Sequence, residues 1–78
     1  MPLIQVKMIE NVFTPAQKAE IIAKLTDTMV AIEGEALRPY TLVLLEETNS
    51  GDWGVGGHAL TTEKVRALAA SSKNATAA

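Results

Sequence analysis

A helix start signal between two apolar segments most constrains how this chain folds. Thr14, Pro15 and Gln17 supply an N-cap hydroxyl, a proline at the first helical position and the glutamine of a capping box. Four apolar residues then recur at spacings of three, four and three, namely Ile22, Leu25, Met29 and Ile32. The sequence therefore predicts one amphipathic helix, and Gly34 supplies its C-terminal stop.

Strand patterns lie on both sides of this helix. Ile4, Val6 and Met8 alternate with polar residues within positions 2–9, which is the period of a half-buried strand. Residues 40–45 form a nearly continuous apolar run, as in strands that are covered on both faces. Because strand crossovers are right-handed, these elements predict a β-α-β unit with parallel strands. The predicted fold class is α/β.

Two strands and one helix leave sheet edges and a sheet face open to water, which is not stable alone. The chain has 78 residues, no cysteine and one histidine, so neither disulfides nor a metal can support so small a core. We therefore expect self-association and no metal or other cofactor. With a net charge of −2 and seven scattered Lys and Arg, the partner is expected to be a small molecule and not nucleic acid.

No apolar stretch approaches the roughly 20 residues of a membrane span, and no signal-peptide pattern is present. A cytoplasmic protein with no membrane partner is expected. Residues 48–58 hold four of the five glycines and the only tryptophan, but match neither a dinucleotide fingerprint nor a P-loop. Thr61-Thr62-Glu63 predicts a short helix through Leu68. Residues 70–78 have no apolar period and predict a flexible tail after a domain of residues 1–69.

Pro2 is the candidate for chemistry. Methionine aminopeptidases remove an initiator methionine that precedes proline, which would leave a secondary amine at the start of the first strand. An α-amino group has an ordinary pKa of about 7.7–8.0, and partial burial lowers it towards the range where a general base works at neutral pH. Alternatively, Pro2 only favours processing. If Met1 were retained, the Pro2 nitrogen would be an amide and could not act as a base.

Three features together resemble the 4-oxalocrotonate tautomerase branch of the tautomerase superfamily. They are Pro2 heading a β-α-β unit, a helix opened by Thr-Pro-Ala-Gln-Lys, and Asn-Ser-Gly-Asp-Trp-Gly-Val-Gly-Gly shortly after Glu47. The resemblance runs to about Leu68 and implies a C-terminal β-hairpin and a subunit that forms a homodimer or a homohexamer. It also implies that the Pro2 nitrogen acts as base and then acid on an enolisable, carboxylate-bearing carbonyl compound.

The chain departs from this family at both positions where an arginine holds the carboxylate. The first falls in the turn at Asn11-Val12-Phe13, and the second falls on Leu42. Arg38 is the candidate substitute, with a solvated loop charge as the alternative. Trp53 takes the place of the family's hairpin aromatic residue. Its ring either contacts substrate, packs in an interface, or does both. The predicted site is Pro2 as catalytic base, with Arg38, Trp53 and Leu42 binding substrate.

Several other polar residues have two interpretations each. Tyr40 either donates a hydrogen bond to a substrate oxygen or anchors the start of the second strand, and Lys7 is either a sheet-surface charge or a ligand contact. His58 lacks a ligand-spaced partner. The residues near the hairpin that could activate water are Glu47, Asn49 and Asp52. The alternative functions are a hydratase or dehalogenase of unsaturated or halogenated acids on the same scaffold, and a non-catalytic oligomeric small-molecule-binding protein.

Overall fold

The computed structural model describes the backbone of residues 1–77 and the side chains of residues 1–71. Its elements in chain order are β1 (Leu3–Ile9), α1 (Pro15–Glu33), a 3₁₀ helix (Glu35–Tyr40), β2 (Leu42–Thr48), β3 (Trp53–Val55), β4 (His58–Leu60) and α2 (Thr62–Ala77). The predicted α/β class, with a β-α-β unit and a C-terminal hairpin, is confirmed.

β1 and β2 form a two-stranded sheet. At one end the amide of Leu42 donates to the carbonyl oxygen of Pro2 at 3.0 Å, and at the other the amide of Glu10 donates to that of Thr48 at 2.8 Å. Because the partner numbers rise along both strands, the strands are parallel. From Leu3 to Met8, even-numbered side chains are buried or half-buried and odd-numbered ones are exposed, as the alternation predicted, whereas Ile9 at the end of the strand is also buried.

Helix α1 begins and ends where its signals placed it. The hydroxyl of Thr14 accepts a hydrogen bond from the amide of Gln17 at 3.1 Å, and the Gln17 side chain accepts one from the amide of Thr14 at 2.9 Å. Gly34 has a φ of 106° and its N–H donates to the carbonyl of Val30. Such a φ is open to glycine and strained for other residues, which explains why the helix stops here.

The inward face of α1 differs from the predicted stripe. Val30 is buried, and Ile21, Leu25 and Met29 are half-buried at a spacing of four. Ile22 is 41% exposed and Ile32 is 80% exposed, so their places in the apolar stripe were wrong. The less exposed residues of α1 therefore recur at a spacing of four, whereas the predicted stripe alternated spacings of three and four.

The second strand starts two residues later than predicted. Residues 35–40 form a 3₁₀ helix instead, in which Leu37 N donates to Gly34 O and Thr41 N donates to Arg38 O, both at 3.2 Å. Pro39 favours this turn because its ring fixes φ near −65°. Along β2, Val43 and Leu45 are half-buried, whereas Leu42 and Leu44 are exposed. The strand was predicted to be covered on both faces, but one of its faces is exposed within the single chain.

The chain divides into two compact units, which are described separately. The first holds residues 1–8 and 13–46, and the second holds residues 9–12 and the chain from Glu47 onwards. In the second unit β3 and β4 pair antiparallel, with Trp53 opposite Leu60 and Val55 opposite His58. Gly56 and Gly57 join them at φ 58° and 84°. Two positive φ values in a two-residue loop make a type I′ turn, so this glycine pair is a requirement of the hairpin.

Helix α2 extends over Thr62–Ala77, so the predicted end at Leu68 was wrong. The segment after Leu68 lacks an apolar period but is rich in alanine, which has the highest intrinsic helix propensity. The division into a domain of residues 1–69 and a flexible tail of residues 70–78 stays a prediction, and residue 78 lies outside the described residues.

Candidate functional site

Pro2 lies at the start of β1 and is half-buried. Its carbonyl oxygen is fixed by the amide of Leu42, the first residue of β2. Met1, by contrast, is 84% exposed. Pairing with β2 therefore begins at Pro2 itself, which holds the backbone beside its nitrogen at the end of the sheet.

Apolar side chains of both strands lie on the exposed face of the sheet near Pro2. The Gln5 side chain donates to a Glu46 carboxylate oxygen at 3.4 Å, which places Gln5 and Glu46 on one face. Because side chains alternate along a strand, Leu3, Leu42 and Leu44 share that face. All three are exposed, Leu42 by 51% of its surface. An apolar surround disfavours the charged form of an amine.

Arg38 lies in the 3₁₀ helix, where two carboxylates of the chain hold its guanidinium. Its Nε and Nη2 donate to the two carboxylate oxygens of Glu35 at 2.6 and 3.4 Å, and its Nη1 donates to Asp27 at 2.8 Å. The hydrogen bond with Glu35, followed by that with Asp27, raises the pKa of Arg38, and the same bond lowers that of Glu35. A substrate carboxylate would have to compete with both acids.

Thr41, and not Tyr40, anchors the start of β2. The Thr41 hydroxyl lies 2.9 Å from the carbonyl of Leu37 and within hydrogen-bond distance of a Glu33 carboxylate oxygen. Tyr40 is 52% exposed. In the part of the chain that the structure describes, its phenolic hydroxyl has no hydrogen-bond partner. The anchoring interpretation of Tyr40 therefore has no contact to support it.

In the second unit, a buried threonine ties the end of β1 to the start of α2. Thr62 is only 5% exposed, and its hydroxyl donates to the carbonyl of Glu10 at 2.7 Å. Its amide donates to the hydroxyl of Ser50 at 2.9 Å, while the amide of Ser50 donates to the Glu10 carboxylate at 2.8 Å. These three residues form a closed network that fixes the turn after β1.

The turn after β1, where the resemblance predicts an arginine, contains a guanidinium from α2 instead. Asn11 has a φ of 60°, and its carbonyl accepts a hydrogen bond from Nε of Arg66 in α2 at 2.7 Å. The two residues are 55 positions apart, so no local pattern in the sequence signals the contact. Sequence reasoning did not single out Arg66.

Trp53, the hairpin residue of the predicted site, is half-buried in β3. The other predicted polar residues are spread over both units. Lys7 is exposed on the outer face of β1, and His58 is exposed in β4. A Glu47 carboxylate oxygen accepts from the amide of Asn11 at 3.3 Å, and the amide of Asp52 donates to the carbonyl of Asn49 in a turn. Within residues 1–77, no three His, Cys, Asp or Glu side chains are grouped to hold a metal ion.

An open groove of about 340 Å³ runs along α1 in the first unit. It is lined by Phe13, Gln17, Glu20, Ile21, Lys24 and Leu25. Glu20 and Lys24, which are one helical turn apart, pair at 2.6 Å, and this pair lowers the pKa of Glu20 and raises that of Lys24. The groove does not include any residue of the predicted site.

None of the helices within residues 1–77 has the length and apolarity needed to span a membrane.

Comparison with known proteins finds a matching family model and similar curated proteins. A family model described as Tautomerase enzyme matches residues 2–63. Probable tautomerase K2 of Dickeya dadantii (strain 3937) is 28% identical over 67 residues, which cover 86% of this chain and 98% of that protein. Probable tautomerase Cj0270 of Campylobacter jejuni subsp. jejuni is 30% identical over 67 residues, 86% of this chain and 97% of that protein.

Two solved structures share the fold. The crystal structure of apo unFused 4-OT superposes with a TM-score of 0.68 at 28% identity, covering 76% of this chain and 93% of that chain. The crystal structure of TomN, a 4-oxalocrotonate tautomerase homologue in the tomaymycin biosynthetic pathway, superposes with a TM-score of 0.66 at 28% identity. It covers 85% of this chain and 95% of that chain.

Proposed function

This chain belongs to the tautomerase family, and we propose that it is a tautomerase that moves a proton on an enolisable carbonyl compound with Pro2 as general base and then acid. The observation that carries the proposal is the position of Pro2, whose carbonyl is fixed on β2 at the end of the sheet. The fold therefore fixes the position of the Pro2 nitrogen, as it fixes the side chain of an ordinary general base.

The proposed reaction starts from the chain without Met1. The free nitrogen of Pro2 takes a proton from a carbon next to the carbonyl or from an enol hydroxyl, which leaves an enolate with its negative charge on the oxygen. The enolate electron pair then takes the proton back from Pro2 at another carbon, and the carbonyl re-forms. The exposed Leu3 and Leu42 next to Pro2 support a neutral amine before the reaction, because an apolar surround disfavours its charged form.

For the substrate, we propose a carboxylate-bearing carbonyl compound that contacts Leu42 and exchanges for one of the acids on Arg38. Trp53, in the second unit, is proposed by itself as a residue that contacts substrate. Both ion pairs of Arg38 are exposed to solvent, and exposed pairs are weak. A carboxylate that brings its own binding energy can therefore displace Asp27 or Glu35 from the guanidinium. The half-buried indole of Trp53 leaves ring surface for contact.

We further propose that the working form is a homodimer or a homohexamer. Leu44 lies exposed on one face of a two-stranded sheet, and such a face gains stability when another subunit covers it. Leu3 and Leu42 at the Pro2 end of this face are left for the substrate. Leu44→Lys, which lies away from the start of the strand, is expected to reduce the assembled fraction in sedimentation velocity. An unchanged distribution would count against assembly through this face.

We also propose that the protein is cytoplasmic and that it works without a cofactor.

The test of the function uses the processed chain. Intact mass first establishes that Met1 is absent, and ketonisation of phenylenolpyruvate and 2-hydroxymuconate is then followed for wild type and Pro2→Ala. The alanine variant is a matched control, because methionine is also removed before alanine and leaves a primary amine. The primary amine of Pro2→Ala can still take a proton but is not held by a ring, so we expect a lower kcat. Wild-type chain that retains Met1 has an amide in place of the base and should be slower by about a hundredfold or more. Equal rates with Met1 present and absent would exclude Pro2 as the base.

Two further outcomes separate the alternatives. Turnover of a halogenated or unsaturated acid with no ketonisation would support the hydratase or dehalogenase reading. An intact oligomer that binds these compounds but converts none of them would support a non-catalytic binding protein.

A further inference from the structure

Tyr40 carries a free hydrogen-bond donor two residues before Leu42, the residue that pairs with Pro2. Its phenolic hydroxyl has no partner within the described part of the chain, and its side chain is half-exposed at the end of the 3₁₀ helix. We propose that this hydroxyl donates a hydrogen bond to the substrate oxygen that becomes negative when Pro2 moves the proton. The inference rests on the proposed function and adds a residue that binds the reacting oxygen.

The backbone limits how far Tyr40 can be from Pro2. Leu42 is bonded directly to Pro2 across the parallel sheet, where neighbouring strands lie about 4.8 Å apart. Tyr40 precedes Leu42 by two residues, and two residues of extended chain span at most about 7 Å. Both residues belong to the same compact unit. The long tyrosine side chain thus starts within reach of a substrate bound at the Pro2 nitrogen.

The chemistry of the site requires such a donor. Loss of a proton next to a carbonyl sends the electron pair to the oxygen, which needs a hydrogen-bond donor fixed in advance. Arg38 already donates from three nitrogens to Glu35 and Asp27. Tyr40 gives one O–H donor without a charge. It keeps its proton throughout, so Pro2 alone carries the transferred hydrogen and no other reactant is needed.

A neutral donor broadens the class of substrates. The Tyr40 hydroxyl donates a hydrogen bond to the carbonyl oxygen, whereas Arg38 binds a carboxylate. A site that relies on Tyr40 for the reacting oxygen therefore accepts uncharged enols as well as enol acids. Exposed Leu3 and Leu42 beside Pro2 offer the apolar contacts that an uncharged substrate uses.

The test compares Tyr40→Phe with wild type on phenylenolpyruvate and on its methyl ester. Phenylalanine keeps the ring and removes only the hydroxyl. We expect kcat to fall about tenfold to a hundredfold on both compounds, because removal of one such donor costs up to about a thousandfold in closed sites and this site is half-exposed. A loss on neither compound, or a change in KM alone, would overturn the proposal.

Thr41→Val is the matched control. It removes the neighbouring hydroxyl, which is bonded within the chain and not offered to substrate. We expect a lower thermal midpoint with kcat within about twofold of wild type. If Thr41→Val lowered kcat as much as Tyr40→Phe, the effect would come from the position of β2, and the proposed contact would be wrong.

A second readout does not depend on turnover. Tyr40 is the only tyrosine, so a ¹³Cζ-tyrosine label gives a single assigned NMR signal. We expect saturating phenylpyruvate to shift this signal. A signal that stays fixed while Pro2 resonances shift would overturn the Tyr40 contact and leave the proposed function standing. If neither residue responds and no enol is converted, both proposals fail.

Discussion

The carbonyl oxygen of Pro2 accepts a hydrogen bond of 3.0 Å from the amide of Leu42. Chain termini are usually poorly ordered unless a strand or helix ties them down. Here the tie is the first residue of β2, so the reacting nitrogen we propose lies three covalent bonds from the oxygen that pairs with the sheet. Its place relative to Leu42 is a property of the fold.

This environment leads to a prediction for pH dependence. An amine must be deprotonated to act as a base, so kcat/KM should rise with pH through the pKa of the free amine. Because Pro2 is half-buried beside apolar side chains, we expect that pKa to lie below the ordinary range of about 7.7–8.0. Rates measured from pH 5 to pH 10 on the processed chain check this. A midpoint at or above 8 would contradict the desolvation of Pro2.

The ion pairs of Arg38 predict opposite effects for two variants. Arg38→Ala removes the guanidinium, so KM for a carboxylate substrate should rise about threefold to tenfold, as for one partly solvated ion pair. Glu35→Gln removes the acid that makes two of the three contacts, so the same KM should fall. Steady-state kinetics with phenylenolpyruvate measure both. If neither KM value moved, Arg38 would be a solvated loop charge. The methyl ester of phenylenolpyruvate serves as the uncharged control substrate.

Gly34 should be sensitive to substitution for a purely conformational reason. A Cβ added there meets nothing within 4 Å, but the φ of 106° is strained for any residue with a side chain. We expect Gly34→Ala to lower the free energy of unfolding by about 1–3 kcal/mol in urea titrations at fixed protein concentration. Gly54→Ala is the matched control, because Gly54 also has open space but no positive φ. Similar losses in both variants would contradict this explanation.

Thr62 predicts a loss of stability that depends on a single hydroxyl. Thr62→Val keeps the shape but leaves the carbonyl of Glu10 without its 2.7 Å partner in a buried place. We expect a loss of about 1–3 kcal/mol in the free energy of unfolding, the cost of an unsatisfied buried polar group. Thr62→Ser retains the donor and should lose clearly less. A serine variant as unstable as the valine variant would point to packing of the methyl group.

Local signals in the sequence were sufficient for the parts of the fold set by short-range chemistry. The capping box of Thr14 and Gln17 and the stop at Gly34 placed both ends of α1. The start of β2 could not be read in the same way, because the apolar run begins with Tyr40 and the 3₁₀ helix that contains Tyr40 depends on hydrogen bonds back to Gly34 and Leu37.

The candidate site was predictable only where one residue carries the chemistry. Pro2 is identified by its position alone, and that role stays a prediction. The state of Arg38 depends on Asp27, which lies 11 positions away on α1, so its ion pairs required the folded chain. The same holds for Arg66 at Asn11, and for Tyr40, whose free hydroxyl becomes evident only when its neighbours are placed.

The protruding methionine ahead of Pro2 decides how this protein must be produced for any assay. An affinity tag or a cloning scar at the front end would turn the secondary amine into an ordinary amide, so under the proposed mechanism the preparation would be inert even with every strand and helix intact. Purification handles therefore belong at the other end of the chain.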